Sequence, residues 1–146
     1  HRWLADQPLD TVAVIGSSLG GFYASVVAEA FDLPAVLINP AVQPHQYWRD
    51  YVGSHRNFHT DEEYEVTTQH VAELEALDPG GIARPENYRV YLQRQDEVLD
   101  YRQAVARFGT EHCVIRDDGS HAYENFAAEL PAVFRFLLSR IDARVR

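Results

Sequence analysis

The chain has 146 residues, 46% of them hydrophobic, and a formal net charge of −9. That length suits one domain with a full core, and no apolar run approaches the length of a membrane span. All 13 basic residues are arginine, and so acidic a balance argues against nucleic acid and anionic membranes as partners.

A single cysteine, Cys113, rules out an internal disulfide and fits a reducing compartment, hence a cytoplasmic protein. It sits in the apolar run Cys113-Val114-Ile115 and reads as a buried structural thiol. Methionine is absent, so His1 is not expected to be the native start, and N-terminal sequence is expected upstream. His1-Arg2-Trp3-Leu4-Ala5 reads as the tail of a helix and not as a signal-peptide remnant.

In chain order, Thr11 to Ile15 is predicted as a buried strand, β-branched, uncharged and ended by Gly16. A helix follows over 21–31, where Ala24, Val27, Ala28 and Phe31 recur at helical spacing. Asp32-Leu33-Pro34 ends it. Ala35-Val36-Leu37-Ile38 is a second buried strand, stopped by Asn39-Pro40. Continuous apolar strands joined by a helix predict a parallel sheet covered on both faces. Residues 41–87 carry no strong strand signal. Tyr47, Trp48, Tyr51, Phe58 and Tyr64 crowd the first half, and Thr67 or Thr68 can cap a helix to Leu77 with Val71 and Leu74 inward. Within one domain over 1–146, this excursion reads equally as a cap over a site or as a packed surface helix with an ordered loop. Arg89 to Gln93 is a third strand, 101–108 a helix capped by Asp100, and His112 to Ile115 a fourth strand. The last helix starts near Pro131, with Leu130, Val133, Phe134, Leu137, Leu138 and Ile141 as its apolar stripe.

Gly16-Ser17-Ser18-Leu19-Gly20 is a G-x-S-x-G motif between strand and helix. A serine hydroxyl attacks a carbonyl only if it stands clear of the backbone beside a base. A tight strand-to-helix turn exposes it by straining the serine, and the flanking Gly16 and Gly20 are expected to be small because strand and helix nearly touch. Leu19 N–H, at the positive helix end, suits a developing oxyanion. A dinucleotide-binding turn is the competing reading. It wants an acidic residue at the end of the next strand, where this chain has Ile38-Asn39-Pro40.

Loops at the carboxyl ends of parallel strands share one sheet edge. Ser18, Asp96 and His121 fall on such loops, in the chain order of α/β-hydrolases. His121 would take the proton of Ser18, and Asp96 would orient the imidazole. Glu97 and Asp100 compete for the acid role; Asp96 comes first after its strand, and Asp100 is better explained as a cap. His45, His55, His59 and His70 lie in the excursion, His112 opens a strand, and His1 is terminal. His55 and His59 have helical ligand spacing, but Gly53, Ser54 and Asn57 speak against a helix, so no metal site is expected.

The segments Gly16–Ala24, Asn39-Pro40-Ala41-Val42, Asp96–Ala104 and His121-Ala122 together resemble the YqiA-like esterases, small bacterial α/β-hydrolases. The resemblance runs from about Val12 to the C-terminus. It implies an α/β-hydrolase fold and a serine esterase acting on small-molecule carboxylic esters or thioesters, without metal or organic cofactor. Ser18 is implied as nucleophile, Asp96 as acid and His121 as base. The family also carries an N-terminal strand ending in His-Gly, whose loop gives a second oxyanion donor. Nothing here matches it, so the N-terminal strands of the fold are expected to be missing. Gln95 and Ser120 stand where the family usually has glycine and asparagine. Two other classes remain open: a non-catalytic fragment with an open apolar strand edge, and an acyltransferase or peptidase using the same three groups.

Overall fold

The computed structural model describes residues 4–57 and 60–145. Its elements are β1 (Val14–Ser17), α1 (Leu19–Phe31), β2 (Ala35–Ile38), α2 (Pro44–Trp48), β3 (Gly53–Arg56), β4 (Glu63–Val66), α3 (Thr68–Leu77), β5 (Tyr88–Gln93), α4 (Tyr101–Phe108), β6 (Cys113–Arg116) and α5 (Leu130–Val145). The chain divides into two compact units. One comprises the residues up to Val42 and from Pro79 onward; the other is Gln43–Asp78.

The first unit is built on a parallel sheet in the order β1-β2-β5-β6. Strand alternation sends successive side chains to opposite faces. Ala35, Leu37, Tyr88, Val90 and Leu92 pack with Ala24 and Ala28 of α1 and with Ala104 and Phe108 of α4. Val36, Ile38 and Tyr91 pack on the other face with Val133 and Leu137 of α5 and with Tyr123. Both faces of the inner strands β2 and β5 are thus covered, as unbroken apolar strands require, whereas β1, expected to be buried, is an edge strand with Ile15 51% exposed.

Two details differ from the sequence expectation. The first strand spans Val14–Ser17, not 11–15. Leu9–Thr11 instead forms a 3-10 turn, with both the backbone N–H and the hydroxyl of Thr11 donating to the Pro8 carbonyl at 2.9 Å. The run therefore enters the sheet later, and Ser17 pairs with Ile38. In α5 only two of the six predicted stripe residues are buried, Val133 and Leu137, whereas Leu130, Phe134 and Leu138 are exposed, the last two at 57% and 58%. Helical periodicity identifies an apolar stripe but not how much of it has a neighbour. The terminal stretch read as a helix tail lies mostly outside the described residues, and Leu4–Asp6 is a 3-10 turn.

The second unit contains a hairpin the sequence did not announce. β3 and β4 pair antiparallel, with His55 opposite Tyr64 and Arg56 opposite Glu63. The His55 and Tyr64 rings stack at 5.6 Å, and Arg56 reaches Glu63 at 3.3 Å. These strands are held by cross-strand pairs; β3 carries no large apolar residue, so period-two reading cannot find it, and the only signal was the four-residue alternation Glu63-Tyr64-Glu65-Val66 in β4. Thr67 caps α3: its hydroxyl accepts from His70 N–H at 3.3 Å, and His70 Nδ1 accepts from Thr67 N–H at 3.2 Å. Val71 and Leu74 are buried, as their spacing predicts. No helix among the described residues is long and apolar enough to cross a membrane.

Candidate active site

Ser18 stands between β1 and α1 with φ +54° and ψ −125°, a backbone state that costs a non-glycine residue about 1–3 kcal/mol. The surrounding bonds hold it there. Ser18 N–H donates to the Ile38 carbonyl at 3.0 Å, and the Ser18 carbonyl accepts from Gly21 at 2.9 Å and from Ala41 at 3.0 Å. The turn is thereby stitched to the end of β2. A methyl group on Gly16 would run into the Gly20 carbonyl and lie 2.8 Å from the Ala24 methyl. One on Gly21 would lie 2.7 Å from Cβ of Pro40. One on Gly20 would meet nothing within 4 Å. The steric demand therefore falls on Gly16 and Gly21, and Gly20 matters through its backbone, which corrects the sequence reading. Leu19 opens α1, so its N–H has no carbonyl one turn back to bond.

The structure brings the other two predicted side chains to Ser18. His121 Nε2 lies 2.8 Å from Ser18 Oγ, and His121 Nδ1 lies 2.9 Å from Asp96 Oδ2 and 3.1 Å from Oδ1. A carboxylate only accepts, so Nδ1 carries the proton and the Nε2 lone pair receives the serine O–H. The Asp96 carboxylate is 3% exposed and the imidazole 21%. Asp96 is fixed by its own loop, with Oδ1 accepting from Val98 N–H at 2.8 Å and Leu99 N–H at 2.9 Å. Seated so, it can hold the imidazole in one tautomer while the other ring nitrogen faces the hydroxyl.

The two competing carboxylates do other work. Asp100 caps α4 by accepting from Arg102 N–H at 3.0 Å, and its side-chain bonds with the Arg102 guanidinium hold its pKa below the ordinary range. Glu97 accepts from the backbone N–H of His121 at 3.0 Å, and that bond is the main cause of its lowered pKa. Two further residues went unrecognised in the sequence. Asn39 and Gln93 are buried, and their side-chain amides hydrogen-bond the loop that carries His121. A polar residue closing an apolar parallel strand was the available signal.

The remaining histidines are elsewhere. His70 serves the cap of α3, His55 stacks in the hairpin, His45 is buried in α2, and His112 lies 3.6 Å from Glu111. His1 and His59 lie outside the described residues. Among the described residues no group of three or more His, Cys, Asp or Glu side chains could hold a metal ion.

Residues 1–138 match the model of the uncharacterised protein family UPF0227. The chain belongs to that family. It is 26% identical over 129 residues to a UPF0227 protein of Pectobacterium atrosepticum, an alignment covering 87% of this chain and 65% of that protein. A UPF0227 protein of Pectobacterium carotovorum is 26% identical over 133 residues, covering 90% and 65%. The chain thus spans 65% of the length of these curated relatives. Among solved structures, a candidate hydrolase from Agrobacterium vitis S4 superposes with a TM-score of 0.55 at 16% identity, over 86% of this chain and 61% of that one. Est1E from Butyrivibrio proteoclasticus gives 0.58 at 17% identity, over 89% and 61%. These likenesses, with the mostly parallel sheet and its helices, give this UPF0227 member the α/β-hydrolase fold.

Proposed function

We propose that the protein is a serine hydrolase that cleaves small carboxylic esters or thioesters through an acyl-Ser18 intermediate. The observation that carries this reading is the unbroken relay from Ser18 Oγ through the His121 ring to Asp96, with contacts of 2.8 and 2.9 Å. Kinship in fold with a candidate hydrolase and with Est1E supports it.

The steps follow from the geometry. Ser18 Oγ attacks the carbonyl carbon as its proton passes to His121 Nε2, and the oxyanion turns toward Leu19 N–H. Asp96 stabilises the imidazolium that forms. The carbon–oxygen or carbon–sulfur bond to the leaving group then breaks, and the leaving group takes the proton from Nε2. A water molecule gives its proton to the same nitrogen and attacks the acyl-serine, releasing the acid and restoring the Ser18 hydroxyl. No cofactor is needed. A reducing cytoplasm suits the single thiol, Cys113, whose pKa burial pushes up to about 11.

A fluorophosphonate probe should label the protein at Ser18, and Ser18→Ala should abolish both labelling and hydrolysis of p-nitrophenyl acetate. Labelling that survives Ser18→Ala removes Ser18 as nucleophile. A wild-type protein that neither labels nor hydrolyses the ester removes the reading altogether.

A further inference from the structure

We propose that Asn39 is a positioning residue that sets the His121 imidazole against Ser18 and Asp96. The proposal rests on the serine-hydrolase reading above.

Asn39 follows β2 with φ +38° and is 2% exposed. Its side chain bonds two other segments at once. Oδ1 accepts from Gln93 N–H at 3.0 Å, and Nδ2 donates to the Ser120 carbonyl at 3.0 Å and to the His121 carbonyl at 3.1 Å. The amide orientation is not arbitrary. Exchanging oxygen and nitrogen would set an N–H against an N–H and an oxygen against two carbonyls. The main chain of Asn39 joins the same arrangement, its N–H donating to the Tyr91 carbonyl at 2.9 Å.

These bonds fix the peptide groups on both sides of the histidine. The carbonyl of His121 is held by Asn39 and its N–H by Glu97 at 3.0 Å. With both ends set, the Cα–Cβ direction is set, and only the side-chain torsions remain for Asp96 to fix. Gln93 extends the hold. Its Oε1 accepts from Ser120 N–H at 3.0 Å and Glu124 N–H at 2.9 Å, and its Nε2 donates to the Glu124 carbonyl at 3.1 Å. Gly119, at φ +95°, leaves room for that amide, since a Cβ there would overlap it. Asn39 thus joins the carboxyl ends of β2 and β5 to the base loop, and loop position becomes a property of the sheet. Proton transfer needs this, because a displacement of about 1 Å at a reacting group can cost about a hundredfold in rate.

Asn39→Asp is the informative change. Aspartate keeps the size, tolerates positive φ and retains an acceptor for Gln93 N–H, but it cannot donate to the two carbonyls. We expect kcat for p-nitrophenyl acetate to fall about 10- to 100-fold with KM within about threefold. The far-downfield proton resonance of His121 Nδ1–H should move upfield or broaden. Wild-type kcat with an unmoved resonance overturns the proposal. A second measurement needs no substitution: in the wild type, the Asn39 side-chain amide protons should exchange slowly and shift as His121 titrates. Fast exchange with no response overturns the proposal even if Asn39→Asp does not fold. A wild-type protein that neither labels at Ser18 nor hydrolyses the ester refutes the hydrolase reading instead, and the two resonance measurements still decide whether Asn39 holds the ring.

Discussion

Replacing Asp96 by asparagine should reverse the tautomer of His121 and leave Ser18 without a base. The prediction follows from which atoms already surround the carboxylate. Oδ1 accepts from the Val98 and Leu99 N–H groups at 2.8 and 2.9 Å, so in the variant that position must be taken by the amide oxygen. The amide nitrogen then occupies the Oδ2 position, which at 2.9 Å is nearer to His121 Nδ1 than the oxygen at 3.1 Å. An N–H₂ group there donates, so Nδ1 must present its lone pair and the ring proton moves to Nε2. Nε2 faces Ser18 Oγ at 2.8 Å, and a nitrogen that already bears a proton cannot take another without becoming charged. A tautomer error of this kind lowers kcat by about 10⁴ in a serine protease triad, equivalent to about 5 kcal/mol of transition-state stabilisation. A loss of about 10³ to 10⁴ in kcat for p-nitrophenyl acetate is expected here. Because both backbone N–H groups keep their acceptor, thermal stability should change little. Asp96→Ala, by contrast, should also lose about 1–3 kcal/mol through the two unsatisfied donors. Asp96→Asn with kcat within tenfold of wild type, measured on protein of unchanged circular dichroism, would refute the assignment of Asp96 as the group that orients His121.

Three further substitutions test the supports of the site. Gly16→Ala should lower stability to urea by about 1–3 kcal/mol or more, because the added methyl meets the backbone of α1 at Gly20 and the Ala24 methyl at 2.8 Å. Gly20→Ala meets nothing within 4 Å and should be neutral or up to about 1 kcal/mol stabilising through helix propensity. Equal urea midpoints for the two variants would contradict the geometry of the turn. Glu97 tests the acid side. Its folded pKa is lowered, first by the bond from His121 N–H, so its charged form stabilises the fold above the ordinary glutamate value of about 4.3. That contribution is lost as pH falls through the lower folded value. Glu97→Gln keeps an acceptor for His121 N–H but does not titrate, so the Tm gap between wild type and variant should shrink below about pH 4.3. A gap that stays constant from pH 7 to pH 3 would argue that the carboxylate is not linked to folding.

The parts of this site legible in the sequence share one property: each depends on chain order and local pattern. In a parallel sheet the loop after every strand emerges at the same edge, so Ser18, Asp96 and His121 could be assigned to one edge from strand positions alone. What stayed hidden depends on contacts between distant residues. Asn39 reads locally as the stop of a strand, and its role becomes visible only when Ser120 and His121, more than 80 residues away, are placed beside it. Gln93 reads as the polar end of an apolar run, yet its amide organises residues 119–124. The glycines show the same division. The motif pattern marks Gly16 and Gly20 as the small pair, but closeness to Pro40 makes Gly21 the second position that cannot carry a side chain. Pro40 follows Asn39, so the segment after β2 shapes the site twice, closing against the Ser18 turn through Pro40 and holding the His121 loop through Asn39. On the proposed mechanism, removing Ser18, Asp96 or His121 deletes a group the reaction uses. Disturbing the Asn39-Pro40 step leaves all three present but should move His121 relative to Ser18, so its substitutions should be read in kcat and not in stability alone.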